Sequence, residues 1–273
     1  MLRYVYIGDY QLNMRNTLIN VGSVVAIIMV IWLLYRQLRD VRLSDDPAGS
    51  SDATNKVSGS FFYIILPCVM QVIIVFTLGA VLGRLVRGFT LPLTGNMSEN
   101  VGYIFEHAGT HFLGIVMASF IVMPPLMYMI YHERAADMLN ALAFFYTIQH
   151  LFNRLGCFME GCCYGVPMHG VLSVRFPESV TGNPDYSVFP SQILEALFML
   201  IILIFQIVLY RKKRNVFMFT IISFGVAIFI SESFMDKRGT VRYMELSAIQ
   251  IAAMLLAVCA FIVYVIQMRR RNK

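Results

Sequence analysis

The stretch His150-Leu-Phe-Asn-Arg-Leu-Gly-Cys-Phe-Met-Glu-Gly-Cys-Cys-Tyr-Gly165 closes an apolar run long enough to enter a membrane. It sets an imidazole, a guanidinium, a carboxylate, three thiols and three glycines together at what reads as a bilayer surface. Charge beside hydrocarbon is costly and usually serves a purpose. Gly156, Gly161 and Gly165 point to tight turns or to close approach of a ligand. Around this stretch, 58% of the 273 residues are hydrophobic and only 14% are charged. A soluble domain is nearer a quarter charged. The expected fold is therefore all-α: a polytopic helical membrane protein, with residues 1–273 forming a single transmembrane domain around a central lipid-accessible pocket.

About 20 apolar residues cross a bilayer core. Runs of that kind lie at 18–35, 61–83, 110–131, 138–157, 191–210, 216–235 and 246–267, so seven spans are predicted. The fourth is the least apolar, with Asn140, Gln149, His150 and Asn153, which suits a helix facing the bundle interior. Between the first two, Ser44-Asp-Asp-Pro-Ala-Gly-Ser-Ser-Asp52 is too polar to bury a core, and a mobile cytoplasmic loop is predicted over 36–60. The polar start, Met1 to Asn20, precedes a run too long for a signal-peptide core, so no cleavable leader is expected.

The net charge of +6 and a pI near 9.1 fit basic residues flanking apolar spans beside anionic lipid; no nucleic-acid partner is expected. Arg211-Lys-Lys-Arg214 and Arg269-Arg-Arg-Asn-Lys273 argue for a cytoplasmic C-terminus and an external N-terminus. Arg3, Arg15, Arg84, Arg87, Arg154, Arg175, Lys237, Arg238 and Arg242 then lie on the outer side. Several of them stand at span ends, where an anionic head group would dock.

Arg154 is the first candidate for chemistry. Its guanidinium is always charged and presents a fork of donors matched to phosphate. The plain alternative is an arginine snorkelling to the interface. His150 lies four residues earlier on the same helix face, as a proton acceptor, a head-group donor or a helix–helix hydrogen bond. Glu160 pairs with Arg154 or acts as a base on this reading. Cys157, Cys162 and Cys163 read as small residues in tight space, with a catalytic thiolate favoured by Arg154 as the sharper possibility. A zinc site with His150 or His169 as fourth ligand lacks a second pair of ligands at metal spacing, so no metal is expected. Cys68 and Cys259 read as buried thiols within spans.

Pro190 and Ser191 suit a helix start. Gln192 and Glu195, three apart, share a face that should point inward, with Glu195 able to orient Arg154. Glu232 falls within or beside the membrane. Lys237, Arg238 and Arg242 form a cationic cluster able to grip a phosphate. His107 and His111 are four apart, but no His-Glu-x-x-His run follows, so a pocket lip is expected there rather than a metal. No cofactor is expected.

In this order, the pieces resemble the prolipoprotein diacylglyceryl transferase family over roughly residues 105–265. Arg154-Leu-Gly-Cys-Phe-Met-Glu-Gly-Cys-Cys-Tyr-Gly165 looks like its signature, in the branch ending Cys-Cys-Tyr-Gly. Phe189-Pro-Ser-Gln-Ile-Leu-Glu-Ala-Leu197 is similar to its Pro-Thr-Gln-Leu-Tyr-Glu-Ala-Leu segment. Glu232 and Leu246-Ser-Ala-Ile-Gln250 look like its later elements. The resemblance implies a bacterial cytoplasmic membrane, phosphatidylglycerol or another anionic phospholipid as donor, and a preprotein or other thiol as acceptor. It implies that Arg154 holds the phosphate and that Glu232 lies in the central cavity; His150 and Glu160 complete the candidate catalytic set on the residue reading above. It implies that Gly156 and Gly165 shape the site and that Gln192 and Glu195 sit in the central cavity; the residues themselves add Cys157, Gly161, Cys162, Arg238, Arg242 and His111 as substrate-binding candidates. The chain departs from the family pattern at Cys157 and Cys162, which stand for an asparagine and a glutamate, and at Ile228 and Met235, which stand for arginines. Those departures leave two further readings: a paralogue serving another acceptor, and a non-catalytic phospholipid-binding or transport protein.

Overall fold

The computed structural model describes residues 4–7, 10–45, 53–89, 102, 104, 111–177, 187–236 and 242–271. A hairpin of β1 (Tyr4–Ile7) and β2 (Tyr10–Asn13) leads directly into α1 (Met14–Asp45). α2 (Ala53–Ile74) passes through one π-helical turn, Val75–Gly79, into α3 (Ala80–Gly88). α4 (Phe112–Tyr131) and α5 (Ala135–Glu160) follow. The short strands β3 (Val174–Arg175) and β4 (Ser187–Val188) pair before α6 (Ser191–Arg211). Then come α7 (Val216–Ser233), the β5–β6 hairpin (Arg242–Tyr243 with Leu246–Ser247) and α8 (Ala248–Arg271).

Among the described residues, six helical stretches are long and apolar enough to cross a membrane. The third, Phe112–Glu160, is 49 residues long. It is divided by a 3₁₀ turn at His132–Arg134, where His132 takes a positive φ of 47°. α4 and α5 pack on each other across this turn, so the stretch doubles back and supplies two of the seven expected spans.

Side-chain bonds sort the helix ends into two sets. Gln37 of α1 donates to the Asp137 carbonyl at the start of α5 and to Tyr210 near the end of α6. Asn140 reaches the Arg214 carbonyl, and Asn215 reaches Gln267 of α8. At the opposite end, Arg15 at the start of α1 meets Glu160 at the end of α5, and Ser247 meets Glu232 at the end of α7. The helices therefore alternate in direction through the bundle.

The sequence pattern explains why α5 sits at the centre. Every residue from 141 to 148 is buried, and α5 packs against α1, α4, α6 and α7. Apolar contact alone does not drive helices together in lipid, so polar bonds and small residues set the register. Gln206 donates to the Ala143 carbonyl, to Thr147 at 2.8 Å and to Thr220 at 2.7 Å, tying α6 to α5 and α7. Tyr146 donates to Gln71, which reaches Ser119, tying α5 to α2 and α4. A Cβ on Gly114 would overlap the Gly83 backbone, so α4 and α3 touch there main chain to main chain.

The loop expected over 36–60 is narrower than its composition suggested. α1 continues to Asp45 and α2 starts at Ala53, leaving 46–52 outside the described residues. Arg36 to Leu43 holds good helix formers, and Pro47 disfavours helix in the residue before it.

Candidate functional site

The site grows from the C-terminal turns of α5. Gly161 ends the helix in the left-handed conformation (φ 80°), with its N–H on the Cys157 carbonyl at 2.9 Å and the Cys162 N–H on the same oxygen at 3.1 Å. Glycine takes this cap without a Cβ penalty. The chain then reverses and threads between two other elements. Gly165 donates to the Phe189 carbonyl at 2.8 Å, and Val166 to the Phe234 carbonyl at 3.0 Å. A Cβ on Gly165 would overlap both carbonyl oxygens, so only glycine passes. The N-terminus of α6 holds the reversal from the other side. Ser191 donates to the Cys163 carbonyl at 2.8 Å, and Gln192 to the Cys162 carbonyl at 2.6 Å.

Beneath this loop lies a buried polar trio. Glu195 Oε1 accepts from Arg154 Nη2 at 3.0 Å and from His150 Nε2 at 2.5 Å. Their side chains are 6%, 0% and 2% exposed for Arg154, His150 and Glu195. The imidazole packs on Phe112, ring centroids 4.2 Å apart, and lies near Phe224. Among the described residues, Arg154 Nε and His150 Nδ1 have no hydrogen-bond partner. A buried guanidinium with a spare donor is chemically suited to bind an acceptor.

Arg154 forms part of the wall of a cavity of about 280 Å³ at this end of the bundle. Arg15, Arg87, His111, Cys157, Cys162, Cys163, Glu232 and Asp236 share that wall. Beside it runs a more apolar groove of about 610 Å³, bounded by Ile19, Ile27, Val72, Ile115 and Phe145. Arg15, Phe112 and Asn153 belong to both walls, so a cationic cavity and an apolar groove share one partition.

The candidates separate into groups on this geometry. Arg154, Cys157, Cys162, His111 and Glu232 line the cavity. Glu232 accepts from Ser247 at 3.2 Å, and His111 caps α4 by accepting the Leu113 N–H on Nδ1. His150, Glu195 and Gln192 stand behind the wall and hold the groups that form it. Gly156 lets α1 start close: a Cβ there would lie 3.2 Å from the Arg15 carbonyl oxygen.

Two expectations are corrected. Glu160 does not pair with Arg154; it accepts from Arg15 at 2.9 Å, because its place on α5 turns it toward α1. Arg242 does not reach the cavity; it is exposed on β5 and pairs with Glu245 at 3.4 Å. Arg238, Lys237 and His107 lie outside the described residues. Sequence reasoning places Arg15 and Arg87 only within the outer basic set and Asn153 only as a mark of an inward-facing helix, and it does not single out Phe112; polar or basic residues at span ends are the available signal.

The three thiol sulfurs lie within 4.8 Å of one another. Hydrogen bonds from the Cys157 and Cys162 thiols hold the Cys163 thiol below its ordinary value, with Arg154 and Arg87 acting in the same direction. Cys163 adopts a positive φ of 59°, uncommon for a residue with a side chain.

Comparison with known proteins joins this geometry to a family. The family model described as prolipoprotein diacylglyceryl transferase matches residues 21–266. The phosphatidylglycerol–prolipoprotein diacylglyceryl transferase of Clostridium tetani is 33% identical over 100 residues. That match takes in 35% of this chain and 40% of the relative.

Proposed function

Because the chain belongs to the prolipoprotein diacylglyceryl transferase family, we propose that it is a membrane transferase moving a diacylglyceryl group from phosphatidylglycerol to an acceptor thiol. The observation that carries this reading is the shared partition. A cavity walled by Arg15, Arg87 and Arg154 suits an anionic head group, and the adjoining groove suits acyl chains. In the proposed reaction the acceptor sulfur attacks the glycerol carbon. The C–S bond forms as the C–O bond breaks, and glycerol phosphate leaves with the electron pair. Arg154, held by Glu195, donates its fork to the departing phosphate, where fixed charge counts most. His150 keeps Glu195 in place rather than touching substrate. Glu232, on the cavity wall, is the carboxylate placed to take the acceptor proton.

The same reading sets the site end toward the outer face of a bacterial cytoplasmic membrane. Arg211, Lys212, Lys213 and Arg214, with Arg269 and Arg270, are exposed at the opposite end. Such clusters favour the cytoplasmic side.

A second reading is favoured by the departures at two positions. Ile228 is buried in the apolar core and Met235 lines the cavity, where the family resemblance calls for arginines. Both losses weaken the cationic site and suit phospholipid binding without transfer. One assay separates the two. Purified protein is given vesicles of isotope-labelled phosphatidylglycerol and a peptide carrying one acceptor cysteine. The expected outcome is a peptide heavier by the labelled diacylglyceryl group, lost in Arg154→Ala. Glycerol phosphate release with the peptide unshifted indicates another acceptor. Lipid binding with no turnover establishes the second reading.

A further inference from the structure

We propose that Cys157, Cys162 and Cys163 form a three-sulfur site for a zinc ion, with the fourth position open to the head-group cavity and suited to a thiol. The metal site stands on geometry alone; the identity of its fourth ligand rests on the transferase reading.

Four observations carry it. First, zinc binds thiolate at about 2.3 Å in a tetrahedral array, which sets the sulfurs about 3.8 Å apart. The three here lie within 4.8 Å of one another, so small side-chain rotations close the site. Second, all three are free thiols. Third, the cluster is held from outside. Gln192 and Ser191 bind the carbonyls of Cys162 and Cys163, and Gly161 makes the reversal that brings both back over Cys157. Support of this kind fixes metal ligands in place. Cys163 keeps its side chain at φ 59°, where glycine would sit without strain. Fourth, among the described residues no histidine nitrogen or carboxylate oxygen lies that close to all three sulfurs; Glu160 Oε2 accepts from Cys162 at 3.6 Å but is held by Arg15 at 2.9 Å. Three protein ligands and an open place are the pattern of reactive rather than structural zinc. All three cysteines face the cavity, so the open place does too.

The charges balance locally. Three thiolates around a divalent ion leave a single negative charge, which with Glu232 and Asp236 matches the Arg15, Arg87 and Arg154 guanidiniums on the same wall. A thiol entering the fourth place loses its proton on coordination, and Glu232 on the same wall takes it up. Its sulfur then supplies the electron pair for the new C–S bond while glycerol phosphate departs with the pair from the broken C–O bond. The zinc changes no oxidation state.

The test uses the full-length protein in detergent with its thiols reduced. Cobalt(II) serves as the spectroscopic probe, and zinc(II) competes it off. One cobalt per chain with a sulfur-to-metal charge-transfer band is expected. Cys162→Ser and Cys163→Ser should each weaken binding by more than about tenfold. Wild-type protein with its thiols alkylated should bind no cobalt, which covers the case of a variant that does not fold. Adding N-acetylcysteine methyl ester should alter the cobalt spectrum, and its S-methylated form should not. Absence of binding by reduced wild type, or equal binding by the serine variants or the alkylated protein, overturns the site. Binding with no response to the free thiol overturns the open position. None of these readouts requires turnover. A failure here leaves the transferase reading intact, and a loaded protein without transfer activity sinks only that reading.

Discussion

Glu195 holds two partners on one oxygen, and the cavity's main cation depends on it. Breaking a buried ion pair from one side leaves an uncompensated charge and costs about 3–5 kcal/mol. Glu195→Gln is therefore expected to lower the thermal midpoint by several degrees and to abolish phospholipid transfer, followed by scanning calorimetry and the labelled-lipid assay. Arg154→Lys tests a different property. It keeps the charge but loses the fork, so the fold should survive while transfer falls about tenfold or more. Equal activity of the lysine variant would remove the case for bidentate phosphate binding. Part of this trio was legible in the sequence. His150 and Arg154 are four apart and do share a face, both reaching Glu195. Glu160 misled because nearness in sequence is not nearness on a helix. At about 100° a residue, it leaves the Arg154 face and turns toward Arg15. The partner of Arg154 sits on another helix, and no local spacing could single it out.

The helices were legible as apolar runs because hydrocarbon admits little else, and α5 announced its central place by its polar content. What joins them was harder to read. The loop from Gly161 to Pro167 is tied to α6 and α7 by backbone bonds that any sequence could make. Only its glycines betray the crowding. Gly165→Ala would drive a methyl group into the Phe189 and Phe234 carbonyls. Overpacking of this kind costs about 1–3 kcal/mol. The variant should remain helical by circular dichroism yet melt several degrees lower, with weaker lipid binding because the loop carries two cavity cysteines. Gln206 offers the opposite contrast at the bundle's far side from this loop. Gln206→Leu removes donors to Thr147, Thr220 and the Ala143 carbonyl. Bonds between membrane helices average about 0.6 kcal/mol each. A loss of about 1–2 kcal/mol with transfer unchanged is expected, measured by denaturant midpoint and assay.

Across the whole molecule, the two ends of the bundle carry different chemistry. One end gathers the guanidiniums and thiols around the cavity, and the other exposes Arg211 to Arg214 and Arg269 and Arg270. On the proposed function this polarity would be needed, because the cavity would have to open on the leaflet where donor and acceptor meet. Charge bias in the sequence could suggest the orientation. It could not show that the basic clusters and the cavity lie on opposite ends, since that depends on which helix ends are neighbours. Val171 is fully exposed beside the site loop, and Lys213 is exposed in the turn at the far end. Single cysteines introduced at each position, read against the parent protein, make the arrangement measurable in intact cells. A membrane-impermeant maleimide should label Val171→Cys from outside, and should reach Lys213→Cys only after permeabilisation. The reverse pattern would turn the cavity to the cytoplasm, away from secreted acceptors, and would leave lipid binding as the role that fits.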